Sequence, residues 1–92
     1  MKDDKDLQND VLRMQSVNSV LNNTEYQNAF MMIKAHLLSE FECTKFKQHE
    51  ERDEVWRKIQ SLNFIEGQLT EVMQTGKIAE LTLADKLKAR FN

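Results

Sequence analysis

HEERDEVWRKIQSLNFIEGQLTEVMQTGK, residues 49–77, is the stretch whose reading decides the fold. It consists mostly of helix formers, and its apolar residues recur at helical spacing: Val55, Ile59, Leu62, then Ile65 or Glu66, Leu69, and Val72 or Met73. Charges on the far side sit four apart, Asp53 with Arg57 and Glu54 with Lys58, a spacing that supports an exposed helix face. Two glycines punctuate the run. Gly67 lies inside it, where glycine costs about 1 kcal/mol relative to alanine, so the reading assigns it to the close approach of a second helix backbone. Gly76 follows Thr75 and is read as the left-handed residue that closes the helix. A helix from about 49 to 75 spans roughly 40 Å, more than the width of a compact chain of this size. It therefore serves either as the spine of an antiparallel hairpin or as a surface for another chain.

Working outward, Tyr26, Phe30, Ile33, Leu37 and Phe41 recur at four, three, four and four residues, with Ala29, Met32 and Leu38 beside them. This wide face predicts a second helix that is the most buried of the set. Thr24 is its expected N-cap, with Gln27 three residues on completing a capping box. The connection to the long helix is placed at CTKFKQH, residues 43–49, with Phe46 covering the turn and Cys43 as a small half-buried apolar residue. Upstream, Leu7, Val11, Met14 and Leu21 share a face of an N-terminal helix. Asn18 either fills the missing heptad position of a coiled coil or is solvated, with Val17 and Val20 widening a different stripe. Downstream, Thr82 is read as the N-cap of a short basic helix whose Leu83, Leu87 and Phe91 line one side. The expected fold is all-α with three to four helices. It is a single domain over residues 1–92, divided into an N-terminal helix (1–21), a hairpin core (25–75) and a short C-terminal helix (82–92).

The chain has 92 residues, no proline and two glycines, which favours uninterrupted helices over strands and turns. A domain this small buries only about 60% of the surface of its unfolded chain and leans on a partner or a copy of itself. The net charge of -2 gives no overall electrostatic footprint for duplex binding. Its distribution is uneven: the first ten residues carry four aspartates against Lys2 and Lys5, while residues 77–92 carry Lys77, Lys86, Lys88 and Arg90 against Glu80 and Asp85. Opposite ends of opposite sign would suit head-to-tail contacts between copies, or are ordinary solvated helix ends. One cysteine, Cys43, fits a reducing compartment, and neither a membrane span nor a signal peptide is read.

Candidate chemistry is sparse. His36 with Glu40 and His49 with Asp53 each place two ligand types on one helix face, but the Glu-x-x-His pattern of a diiron bundle is missing, so no metal and no cofactor is assigned. No G-x-S-x-G and no glycine-rich loop accompanies Cys43 or the serines, so no catalytic residue is assigned and the reading is non-enzymatic. The acidic run at Glu50, Glu51, Asp53 and Glu54 complements the helix dipole. Within it Arg52 falls four before Trp56, on which it is expected to stack. Trp56, Phe64, Arg52, Met31, Met32 and Gly67 form the expected partner interface, and Lys86, Lys88 and Arg90 the expected contact to nucleic acid or to a neighbouring copy.

An aromatic-Gln-x-Ala-Phe segment at Tyr26–Phe30, an acidic-Arg-acidic stretch before an aromatic at Glu51–Trp56, and Thr-Gly-Lys at Thr75–Lys77 together resemble a family of small all-helical proteins of tailed bacteriophages. The similarity covers about residues 20–80. It implies a phage origin and a non-enzymatic role among virion and packaging components, in the host cytoplasm or associated with the virion. The leading expectation is a homo-oligomeric structural, assembly or packaging accessory. The alternative is a small inhibitor of a host enzyme or defence complex that uses the acidic run as a nucleic-acid mimic, and a third reading is a DNA-binding oligomer.

Overall fold

The computed structural model describes residues 2–44 and 48–91. The chain is all-α, with α1 at Asp4–Leu21, α2 at Thr24–Cys43 and α3 at His49–Phe91, and no strand among the described residues. It divides into two compact units. A terminal unit joins Met1–Leu21 to Gln68–Asn92, and an inserted unit comprises Asn22–Gly67. The expected turn cover, Phe46, lies outside the described residues.

In the terminal unit α1 runs antiparallel to the last part of α3. Asp4 meets Lys86 and Arg90, while Met14 and the Asp10 carbonyl meet Gly76, so advancing along α1 means retreating along α3. Leu7 and Ala79 are the buried apolar residues of this pairing. Leu7, Val11, Met14, Val17 and Leu21 form the covered stripe of α1, and Asn18 is exposed. The solvated alternative for Asn18 therefore holds, although Val20 remains 45% exposed.

The expected helix stop at Gly76 is corrected. α3 continues through it to Phe91, and no described glycine has positive φ. A Cβ at Gly76 would collide with the Met14 side chain and stand 2.9 Å from the Asp10 carbonyl oxygen. The residue is thus glycine because α1 crosses there, a use of missing volume and not of left-handed backbone. Without a stop, the short helix over 82–92 has no separate existence. Thr82 is interior to α3, and its hydroxyl donates back to the Ile78 carbonyl at 2.9 Å, the usual refuge of a threonine inside a helix.

In the inserted unit α2 runs antiparallel to residues 49–67 of α3, with Lys34 against Glu66 (3.2 Å) at one end and Phe41 and Thr44 against Arg52 at the other. Leu37, Val55 and Leu62 are its buried residues. Each fully buried side chain of this kind contributes roughly 1.5–3 kcal/mol. Glu66 rather than Ile65 takes the inward position: Glu66 is half-buried and Ile65 is 48% exposed. Asn23, not Thr24, caps α2, its Oδ1 accepting from the Tyr26 N–H at 2.9 Å. The expectation that α2 is the most buried helix is also corrected, because only Leu37 on it is buried. Its unit supplies one partner helix, and one partner covers only a narrow stripe of a wide apolar face. Cys43, at the end of α2, is exposed instead of half-buried.

Candidate interaction surface

Arg52 organises one end of the inserted unit. It shares the α3 seam with Val55, three residues on, and so faces α2. Its guanidinium lies 3.9 Å over the Phe41 ring and donates to the Phe41 carbonyl (3.2 Å), the Thr44 carbonyl (3.2 Å) and the Thr44 hydroxyl (3.0 Å). The last carbonyls of a helix have no partner within it and carry the negative end of the dipole. A cation from α3 therefore caps α2 here, together with Thr44, whose hydroxyl donates to the Phe41 carbonyl at 2.6 Å. The expected stack of Arg52 on Trp56 is replaced by the stack on Phe41. Trp56 is one residue past Val55, turned about 100° out of the seam, and its ring meets that of Phe41 at 5.8 Å between centroids with a 40° tilt.

The other residues assigned to the interface do not form one patch. Met31 and Met32 are both exposed but point about 100° apart around α2. Phe64, 68% exposed, lies two residues from buried Leu62 and is directed away from α2. Gly67 is exposed, and a Cβ placed on it would have nothing within 4 Å among the described residues. The close approach expected at Gly67 thus does not occur among the described residues. What the structure does bring together is a flank on which Met31, Leu38 and Phe41 of α2, spaced seven and three, run beside Trp56 and Gly67 of α3, spaced eleven. Exposed Leu38 and half-buried Phe41 were missed as part of the surface, although the spacing of Met31 and Leu38 was readable.

In the terminal unit, Lys86 and Arg90 both donate to Asp4, at 2.7 and 3.1 Å. The hydrogen bond and charge of Lys86 hold the Asp4 carboxyl below its usual range against the opposing effect of burial, with a lesser contribution from Arg90. Two of the three cations expected to reach nucleic acid or a neighbour are thus engaged within the chain, and Lys88 is exposed. The groove lined by Asp10, Arg13, Glu71 and Thr75 sets both signs of charge side by side.

Of the pairs weighed as metal ligands, His36 Nε2 lies 2.8 Å from Glu40 Oε1 as an ordinary i,i+4 pair. No cluster of three or more His, Cys, Asp or Glu side chains able to hold a metal ion occurs among the described residues. Glu54 and Lys58 pair at 3.9 Å, whereas the expected Asp53–Arg57 ion pair is not among those of the described residues. No helix among those residues is long and apolar enough to cross a membrane. Comparison with protein-family models, curated proteins and solved structures finds no match to this chain.

Proposed function

We propose that this chain is a non-enzymatic, phage-encoded helical interaction protein that works as a homo-oligomer in a structural, assembly or packaging-accessory role. One observation carries the reading: among the described residues five apolar side chains are buried, while thirteen large apolar ones are exposed. Scattered apolar exposure is ordinary, but here exposed large residues outnumber the core in both units, a balance suited to a protein that completes its core against another chain. The phage origin rests on the resemblance of Tyr26–Phe30, Glu51–Trp56 and Thr75–Lys77 to the helical phage family. The nucleic-acid reading is weakened by the engagement of Lys86 and Arg90 with Asp4.

Light scattering over a concentration series at two salt concentrations tests this. The expected result is a mass that is a multiple of 10.9 kDa and persists at high salt, since apolar contacts are not screened. A monodisperse monomer throughout the micromolar range would overturn it.

A further inference from the structure

The geometry points to a specific self-association surface: the Met31–Leu38–Phe41 and Trp56–Gly67 flank of the inserted unit packs on the same flank of a second copy, with Trp56 of each copy over Gly67 of the other. This inference rests on the homo-oligomer reading and names its surface.

The first support is Gly67 itself. A glycine inside a helix sacrifices about 1 kcal/mol relative to alanine, and at Gly76 the crossing of α1 explains it. At Gly67 nothing among the described residues across the fold stands within 4 Å of a Cβ, so their packing gives no reason for the missing side chain. A close approach from outside does. The stripe Trp56, Gln60, Asn63, Gly67, spaced four, three and four, occupies one flank of α3, and the Phe41–Trp56 ring contact ties it to the Met31–Leu38 stripe of α2. The flank thus has a half-exposed tryptophan at one end and a gap at the other.

A second copy suits this arrangement because a two-fold axis presents the same patch to itself. An axis midway between Gln60 and Asn63 sets two α3 segments antiparallel and brings Trp56 of each copy to the Gly67 gap of the other, filling both gaps at once. The charges agree. Lys34 is spent on Glu66 at 3.2 Å and Arg52 on the end of α2, leaving the middle of this flank without an unpaired charge, as interface cores require. The opposite flank interrupts its Ile33 and Ile65 with the His36–Glu40 and Glu54–Lys58 pairs. The area is also sufficient. Two helices about five turns long give a face of roughly 30 Å by 20 Å, and the accessible surface of such a corrugated face approaches the roughly 800 Å² per partner of a stable interface.

The test uses the full chain and its single tryptophan. In the wild type, doubling of the mass with concentration should coincide with a blue shift of Trp56 emission, because that side chain passes from half exposure to burial. Gly67→Leu should raise the dissociation constant roughly tenfold or more by filling the gap. It should leave helical circular dichroism intact, since a Cβ there meets nothing within 4 Å among the described residues. A wild type that doubles its mass without any change in Trp56 emission, or a helical Gly67→Leu that dimerises as tightly as wild type, would overturn this surface while leaving the homo-oligomer reading in place. A wild type that stays monomeric would overturn both.

Discussion

The two glycines of α3 sit nine residues apart in one helix and in different units, and their surroundings are opposite. Gly76 is buried against Met14 and the Asp10 carbonyl, while Gly67 faces open space. The terminal unit is closed by a backbone crossing that only glycine permits, and the inserted unit by a side chain, Arg52, reaching across to the end of α2. One unit has spent its glycine on internal packing. The other holds one that its own packing leaves unexplained.

Substitution at the two glycines tests this contrast by sign. Gly76→Ala is expected to have the largest effect, a net loss of about 2 kcal/mol in urea unfolding. The helix-propensity gain of about 1 kcal/mol is outweighed by overpacking against a carbonyl oxygen that cannot rotate away. A neutral or stabilising result would mean that the crossing at Gly76 is not tight. Next in size, Arg52→Met keeps an apolar stem over Phe41 but removes the donors, and should cost about 1–2 kcal/mol for a half-exposed charged cap. Hydrogen exchange should report the loss at the amides of the last turn of α2 and leave those of α1 unchanged. If α1 amides lose protection equally, the two closures are not separate.

Gly67→Ala, measured in dilute protein, should stabilise the chain by about 0.5–1 kcal/mol, the reverse of Gly76→Ala. A destabilisation would show that space at Gly67 is occupied within the chain after all. The smallest effect belongs to Asp4→Asn, which removes the carboxylate bonded by Lys86 and Arg90. Because the folded carboxyl lies below its ordinary value of 3.8, its contribution is present above that value and lost as pH falls through the folded pKa. The difference in melting temperature between wild type and Asp4→Asn should therefore be greatest near neutral pH and vanish in strong acid; a constant difference would remove ionisation as its cause.

Much of this was legible because it is local. The helical class, the seam of Val55, Ile59, Leu62 and Leu69, and the break near Asn22 and Asn23 follow from spacing and propensity over a few turns. The misreadings share one physical origin. A glycine serves either positive φ or close approach, and only the tertiary neighbour decides which, so Gly76 reads as a stop until α1 is seen crossing it. Thr82 imitates a cap because a capping signal spans only a few residues and cannot register that the helix arrives from Lys77 unbroken. The destinations of Arg52, Lys86 and Arg90 were hidden for the same reason: their partners lie across the fold. The candidate surface was half legible. Met31, Trp56 and Gly67 were found as exposed or anomalous residues, but sharing a flank depends on the Phe41–Trp56 contact between helices.

The chain distances spanned by these contacts carry a further consequence, one of timing. Arg52 reaches Thr44 across eight residues, whereas Lys86 reaches Asp4 across eighty-two. Closing the longer loop costs about 2 kcal/mol more in chain entropy, so the inserted hairpin forms first. During synthesis from the N-terminus, α1 emerges ahead of α2 and α3, yet its partner segment, beginning at Gln68, follows only after the whole inserted unit. For an interval on the order of seconds at ordinary translation rates, the Leu7 stripe of α1 has no intramolecular partner. A helix made ahead of the inserted unit is thus buried after it, and the nascent chain carries that apolar stripe uncovered until the Gln68–Asn92 segment arrives.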